Sequence, residues 1–352
     1  KGIGKKKLEK TRQTDYIGAV CSAPNEEHPC VIFEHLGGRT NEAIHKMLDG
    51  FTPAVLMSDA YASYDSYCEQ HPKIRQQNCI VHWRREMLDA VNIDSLTKSL
   101  TAKTEEEAIQ KATQQAFKNP AIFQLCCVLK GIGKIYGYEK TVKKEKDESR
   151  EAYLKRILEN RQEHAKPLMD DIDIVMKSLA DKYTKIGENG SYKVDGKYGQ
   201  LGKAIVYYMN RRDKLRLFLT DPEVPLDSNA VERCVRAVAV LRKSCDFKQT
   251  VAYTEALCTV LSLTETAKAN GIISPVTWLT DFARAVFIHR AEKTLTRLVR
   301  EKGRSLDLKL KTFDKDSYDG FDITPYLPWN YVKDHPEVTK QSDKTDAEDK
   351  QA

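Results

Sequence analysis

Apolar residues recur along this chain at two different periods, and the change of period divides it. Two short runs near the start, Tyr16–Cys21 and Cys30–Phe33, are separated by the turn-forming stretch Ser22-Ala-Pro-Asn-Glu-Glu-His-Pro29, which predicts a β-hairpin. Thr40 then reads as an N-cap, with Ala43, Ile44, Met47 and Leu48 at helical spacing and Gly50 as the stop. Val55-Leu56-Met57 predicts a buried strand that delivers Asp59 at its C-terminal end, and Ile80-Val81 a second strand that delivers His82. Ligands of an open α/β sheet gather beyond the carboxyl ends of its strands, so both side chains are expected at one edge.

From about residue 90 to 200 the texture is polar and charged, with Tyr153, Ile157, Leu168, Ile172 and Met176 at helical spacing. This predicts an all-helical insertion with solvated charged faces; Gly131, Gly133 and Gly137, and later Gly190 to Gly196, read as loops. The next strong signal is Pro225-Leu-Asp-Ser-Asn-Ala-Val-Glu-Arg-Cys-Val-Arg236, closed by Arg242-Lys243. Asp227 is a good N-cap, and Val231, Val235, Val238 and Leu241 predict a buried stripe. Asn229, Glu232, Arg236 and Lys243 share a second, polar face. Tyr253–Asn270 predicts an amphipathic helix ended by Gly271, and Ser274-Pro275 starts another, with Trp278, Leu279, Phe282, Ala285 and Val286 on its apolar side. From Asp334 onward the chain is polar and slightly acidic, the composition of a disordered tail.

A net charge of +6 suits a polyanionic partner without demanding one, and 352 residues can fill one large domain or two smaller ones. Lys1 to Arg12 carries six cations against Glu9, either a solvated arm or one that touches phosphates. Nine cysteines without a C-x-x-C pair make no disulfide framework, and a reducing cytoplasm is the natural setting. No apolar run reaches membrane length. Glu232 set among arginines is what a site for a divalent metal and phosphates would need; an amphipathic surface helix with ion pairs such as Glu232 to Arg236 explains the same residues.

Several motifs occur in a fixed order: Ser58-Asp-Ala-Tyr-Ala-Ser-Tyr64, Asn78-Cys-Ile-Val-His-Trp-Arg-Arg85, Leu201-Gly-Lys-Ala-Ile-Val-Tyr-Tyr-Met-Asn210, Leu226-Asp-Ser-Asn-Ala-Val-Glu-Arg233, Arg242-Lys-Ser244, Thr266-Ala-Lys-Ala-Asn-Gly271 and Leu327-Pro-Trp-Asn330. Together they resemble the insertion-sequence-66 family of bacterial transposases, whose C-terminal catalytic pattern is roughly D-N-N-x-x-E-R followed by R-K-N. Ser228 and Ser244 stand where that pattern has Asn.

The resemblance implies a DNA transposase of DDE type acting at transposon ends by two-metal phosphodiester hydrolysis and strand transfer, with Mg²⁺ or Mn²⁺ as cofactor. It implies a ribonuclease-H-like mixed sheet with a large all-α insertion and a small helical C-terminal module. The expected division is 1–89 and 201–270 for the core, 90–200 for the insertion, 271–333 for the module and 334–352 for the tail. Asp59 matches the second Asp of the triad and Glu232 its Glu, which makes both metal ligands. His82 matches a Cys-x-x-His element whose His lies near the scissile phosphate, with Cys79 structural; a zinc reading of Cys79 and His82 lacks a second ligand pair. Asp227 and Asn229 would shape the start of the Glu232 helix, and Arg84, Arg85, Arg233, Arg236, Arg242 and Lys243 would contact phosphates. Terminal repeats, target DNA, a second copy at synapsis and accessory proteins of the same element are the implied partners.

Two other readings stay open: a catalytically inactive DNA-binding remnant, and a cellular nuclease of ribonuclease-H type, which would leave the insertion and the C-terminal motifs unaccounted for. The family's first Asp, in a D-E-T motif, has no counterpart before Asp59. Asp15, beside the first β-like run, is the candidate substitute; the chain reads as N-terminally truncated, with a sheet expected to lack its central strand and no transposition expected of the chain as given.

Overall fold

The computed structural model describes residues 16–24, 26–51, 53–91, 104, 106–107, 109–110, 119–244, 250–302 and 320–339, with the backbone alone for 242–244 and 294–302. Asp15, the basic arm 1–12 and residues 340–352 lie outside the described residues. The chain divides into two compact units, one formed by 1–38 with 231–352 and the other by 39–230. It is a mixed α/β protein in which helices dominate, and the strands form three separate two-stranded sheets among the described residues.

In the first unit, β1 (Ile17–Cys21) and β2 (Val31–His35) form the expected antiparallel hairpin, with Ala19 opposite Phe33. Its buried side, Val31 and Phe33, packs on α9 (Val251–Ala269) and α8 (Asn229–Ser244). Because Ser262 and Thr266 of α9 accept the backbone N–H groups of Phe33 (2.8 Å) and Val31 (2.9 Å), helix hydroxyls satisfy donors that a neighbouring strand would otherwise take. The helix stops at Gly271, whose φ of +86° suits a residue without a Cβ. After it come α10 (Pro275–Lys302) and α11 (Pro328–Asp334), which join around Trp278 and Tyr331.

The second unit begins with α1 (Asn41–Leu48), capped by Thr40 as its sequence predicts (Ala43 N–H to Oγ1, 3.2 Å). Next come β3 (Val55–Ser58), α2 (Ala62–Gln70), β4 (Arg75–Asn78) and α3 (Ile80–Val91), with β3 and β4 parallel. Three long helices follow: α4 (Pro120–Thr141), α5 (Arg150–Asn160), and α6 (Lys166–Tyr183), which is joined to α5 by one π-helical turn at Arg161–Ala165. A short hairpin, β5 (Thr184–Ile186) with β6 (Tyr192–Val194), precedes α7 (Gly199–Arg211) and the 3₁₀ turn Leu217–Leu219. Trp83 and Met87 of α3, Leu129 and Ile132 of α4, Met169 and Met176 of α6, and Tyr208 of α7 make the core.

Several expectations need correction. Ile80-Val81 is not a strand but the first turn of α3. Ile80, Trp83, Met87 and Val91 are buried at helical spacing, whereas the strand lies just upstream in Arg75-Gln-Gln-Asn78. That strand is polar yet buried, because Gln77 Oε1 accepts the N–H of Phe218 (3.1 Å) and Gln76 donates to Ser58 Oγ (3.2 Å). The insertion is not all-α. Gly190, at φ +77°, closes a tight turn that lets Thr184–Ile186 pair with Tyr192–Val194. Gly131, Gly133 and Gly137 lie inside α4; at Gly131 a Cβ would stand 3.3 Å from Ile172 Cδ1, so the glycine lets α4 and α6 approach closely. On α8 the side facing the hairpin core is Cys234, Ala237, Val238 and Leu241, while Val235 is exposed, one step round from the expected stripe. Residues 334–339 are structured, with the C=O of Val338 accepting the N–H of Ile273 at 3.0 Å.

Candidate functional site

Asp59 directly follows β3, and its surroundings hold it from several directions. Its Oδ1 accepts the N–H of Tyr61 (3.0 Å), an Asx turn that leads the chain into α2. Asn78, at the end of β4, donates to the Asp59 carbonyl (3.4 Å), and Arg211 of α7 donates to the carbonyl of Ala60 (3.3 Å). Oδ2 accepts no hydrogen bond from the described residues; its nearest cation is Arg39, at 3.9 Å, and the side chain is one third exposed. The Tyr64 hydroxyl titrates above its usual range because it is buried and because Asp59 adds negative charge nearby. A carboxylate oriented by a turn, with one oxygen that accepts no hydrogen bond from the described residues, suits a hard divalent ion, although among the described residues no three His, Cys, Asp or Glu side chains form a metal-holding group.

Cys79 follows β4 directly. Its N–H goes to the Ser58 carbonyl (2.9 Å), and the N–H of Ile80 to the Leu226 carbonyl (3.1 Å), so the start of α3 is tied to the segment before α8. Burial works against ionisation of the Cys79 thiol, but hydrogen bonds from His82 and from Ser228, whose N–H reaches Sγ at 3.3 Å, outweigh it and lower the pKa. Cys79 and His82 thus form one hydrogen-bonded element where two helices begin. Asp227 Oδ1 accepts the N–H of Asn229 (2.9 Å) and its Oδ2 accepts the hydroxyl of Tyr136 on α4 (2.8 Å), so Asp227 shapes the entry to α8. Arg84 is half-buried and Arg85 exposed on α3.

Glu232, Arg233 and Arg236 are exposed on α8 within the first unit, whereas Asp59, Cys79, His82, Asp227 and Asn229 belong to the second. The side chains of Arg242 and Lys243 lie outside the described residues.

Residues 4–256 match the sequence profile of the family described as "Transposase IS66 family". The chain belongs to that family. It is also 25% identical over 312 residues to the uncharacterized protein y4qI of Sinorhizobium fredii, covering 87% of this chain and 44% of the relative. A second S. fredii protein, the uncharacterized y4jD, is 23% identical over 258 residues, 72% of this chain and 41% of that one. This IS66-family chain therefore spans less than half the length of the curated relatives it matches. No solved structure matches it significantly. Among the described residues no helix is long and apolar enough to cross a membrane.

Sequence reasoning on the IS66 motifs missed Arg39, Tyr136 and Arg211. Arg39 and Tyr136 fall outside the matched motifs and reach the site only through the fold. Arg211 directly follows the Leu201–Asn210 motif, and its place on the last turn of α7 is what brings it to Ala60.

Proposed function

We propose that this chain forms part of a DNA transposase in which Asp59 and Glu232 ligate Mg²⁺ or Mn²⁺ at the reacting phosphodiester of a transposon end. What supports the reading is the match to the transposase family together with Asp59, a carboxylate fixed by the Tyr61 N–H at the carboxyl end of a parallel strand, whose Oδ2 accepts no hydrogen bond from the described residues. When bound, such ions supply Lewis-acid stabilisation of the attacking and leaving oxygens. The chain's own residues do the rest. The turn around Asp59 keeps the carboxylate from swinging away, and Cys79 holds His82 at the head of α3, where an imidazole can donate to a phosphate oxygen. Arg84, Arg85, Arg233, Arg236, Arg242 and Lys243 neutralise backbone phosphates. In this reading residues 1–89 and 201–270 correspond to a ribonuclease-H-like domain, with 90–200 as its insertion, 271–333 as a C-terminal module and a second copy engaged when ends pair.

The test compares the full-length protein with Asp59→Asn and Glu232→Gln variants in strand cleavage of element-end DNA with Mg²⁺ or Mn²⁺. Both variants should melt like the parent and lose cleavage, since neither side chain fills the core. His82→Ala should lose far more cleavage than DNA binding. Cleavage by Asp59→Asn within a few-fold of the parent would refute the assignment, and retained DNA binding with no cleavage by the parent itself would favour a binding-only remnant.

A further inference from the structure

Arg39 stands immediately before the Thr40 cap of α1, and one tyrosine holds both of its ends. The Tyr61 hydroxyl donates to the Arg39 carbonyl at 2.6 Å, while the Arg39 guanidinium lies over the Tyr61 ring, 4.3 Å from its centroid. A long surface side chain normally spends most of its time among many rotamers; this one is fixed at the backbone and at the tip by the same neighbour. Yet half of the side chain is exposed, and among the described residues its guanidinium donates no hydrogen bond. The nearest carboxylate oxygen, Asp59 Oδ2, is 3.9 Å away, beyond hydrogen-bonding distance. Stacking on Tyr61 and the charge of Asp59 together set its position, and among the described residues no acceptor takes its N–H edges.

We propose that Arg39, stacked on Tyr61, is a contact for a DNA backbone phosphate seated beside Asp59; this rests on the reading of Asp59 given above. A planar guanidinium whose N–H edges donate no hydrogen bond among the described residues matches the oxygens of a phosphate in bidentate geometry. A cation beside Asp59 also offsets the repulsion between the carboxylate and an approaching phosphate, adding to what a bound divalent ion would supply. Stacking lowers the cost of the contact, since little rotamer freedom is left to lose when the phosphate arrives. The same Tyr61 supplies its N–H to Asp59 Oδ1, so one residue sets both the carboxylate and the cation and fixes the gap between them.

The experiment uses the full chain, a fluorescein-labelled DNA duplex of arbitrary sequence, and EDTA to prevent cleavage. Anisotropy titrations at several salt concentrations give the log-log slope of affinity against salt. Arg39→Ala should lower that slope by about 0.9, the loss of one phosphate contact, and Arg39→Lys should restore most of it because the charge returns. Arg39→Gln, which keeps a planar group over Tyr61 without the charge, should behave like the alanine variant and serves if that variant melts early. An unchanged slope in both uncharged variants would overturn the proposal, whatever Asp59→Asn does in cleavage. A lowered slope together with full cleavage by Asp59→Asn would leave the arginine contact standing and remove the catalytic reading of Asp59 instead.

Discussion

Tyr136 donates its hydroxyl to Asp227 Oδ2 at 2.8 Å, which ties the C-terminal part of α4 to the residue that shapes the entry to α8. Burial first, and then the charge of Asp227, push the Tyr136 pKa upward, so the phenol stays a donor throughout the physiological range. Tyr136→Phe removes the donor and leaves a half-buried carboxylate oxygen unsatisfied. The expected cost is about 1–3 kcal/mol, read as a lowered urea midpoint with an unchanged slope. An unaltered midpoint would mean that water replaces the phenol there.

Arg161 is only 2% exposed and sits in the π-helical turn between α5 and α6. Its Nη1 donates to the carbonyls of Phe218, Asp221 and Val224, each at 3.0 Å, and its other face pairs with Glu139. Arg161→Met strands Glu139 and three carbonyls and should destabilise by about 3–5 kcal/mol. An Arg161→Met, Glu139→Met double variant should cost less than the two single losses added, because neither charge is then left alone. Strict additivity in denaturant titrations would contradict this coupling.

Asp173 gives the pH dependence. Burial alone would raise its pKa, but hydrogen bonds from Arg212 and Lys177 and the Arg212 charge prevail and lower it to about 2. A folded pKa below the unfolded one means that the stabilisation is complete above about pH 4 and fades as pH falls toward 2. The ion cluster is then worth roughly 2 kcal/mol at neutral pH. Asp173→Asn should lose that increment at pH 7 and show a flatter stability profile between pH 4 and 2; parallel profiles for parent and variant would be the contrary result.

Wherever one physical cause dominated, the sequence was legible. Thr40, Gly50 and Gly271 mark helix ends because capping and positive φ are local demands, and the β1–β2 hairpin follows from its turn residues. Asp59 could be placed at a strand end for the same reason. Beta-strand β4 could not be read, since Gln76, Gln77 and Asn78 look like a loop until Ser58 and Phe218 supply their partners. Helical spacing from Ile80 was overlooked because two adjacent β-branched residues suggested a strand, although Trp83, Met87 and Val91 continue the period. Arg39 and Tyr136 carry no local signal: each reaches the site through a partner 22 or 91 residues away.

The grip of Arg161 on Phe218, Asp221 and Val224, joined by that of Tyr136 on Asp227, bears on how such proteins can be re-engineered. Both side chains come from 90–200, the stretch proposed above as an insertion, and both hold the segment leading into α8. Excising that stretch, or grafting in its counterpart from a relative, would leave the 218–227 segment without its carbonyl acceptors' donor and without its tyrosine. Shortened variants or chimaeras that keep the surrounding sequence intact must therefore carry Tyr136, Glu139 and Arg161 with them, or supply a new clamp in their place.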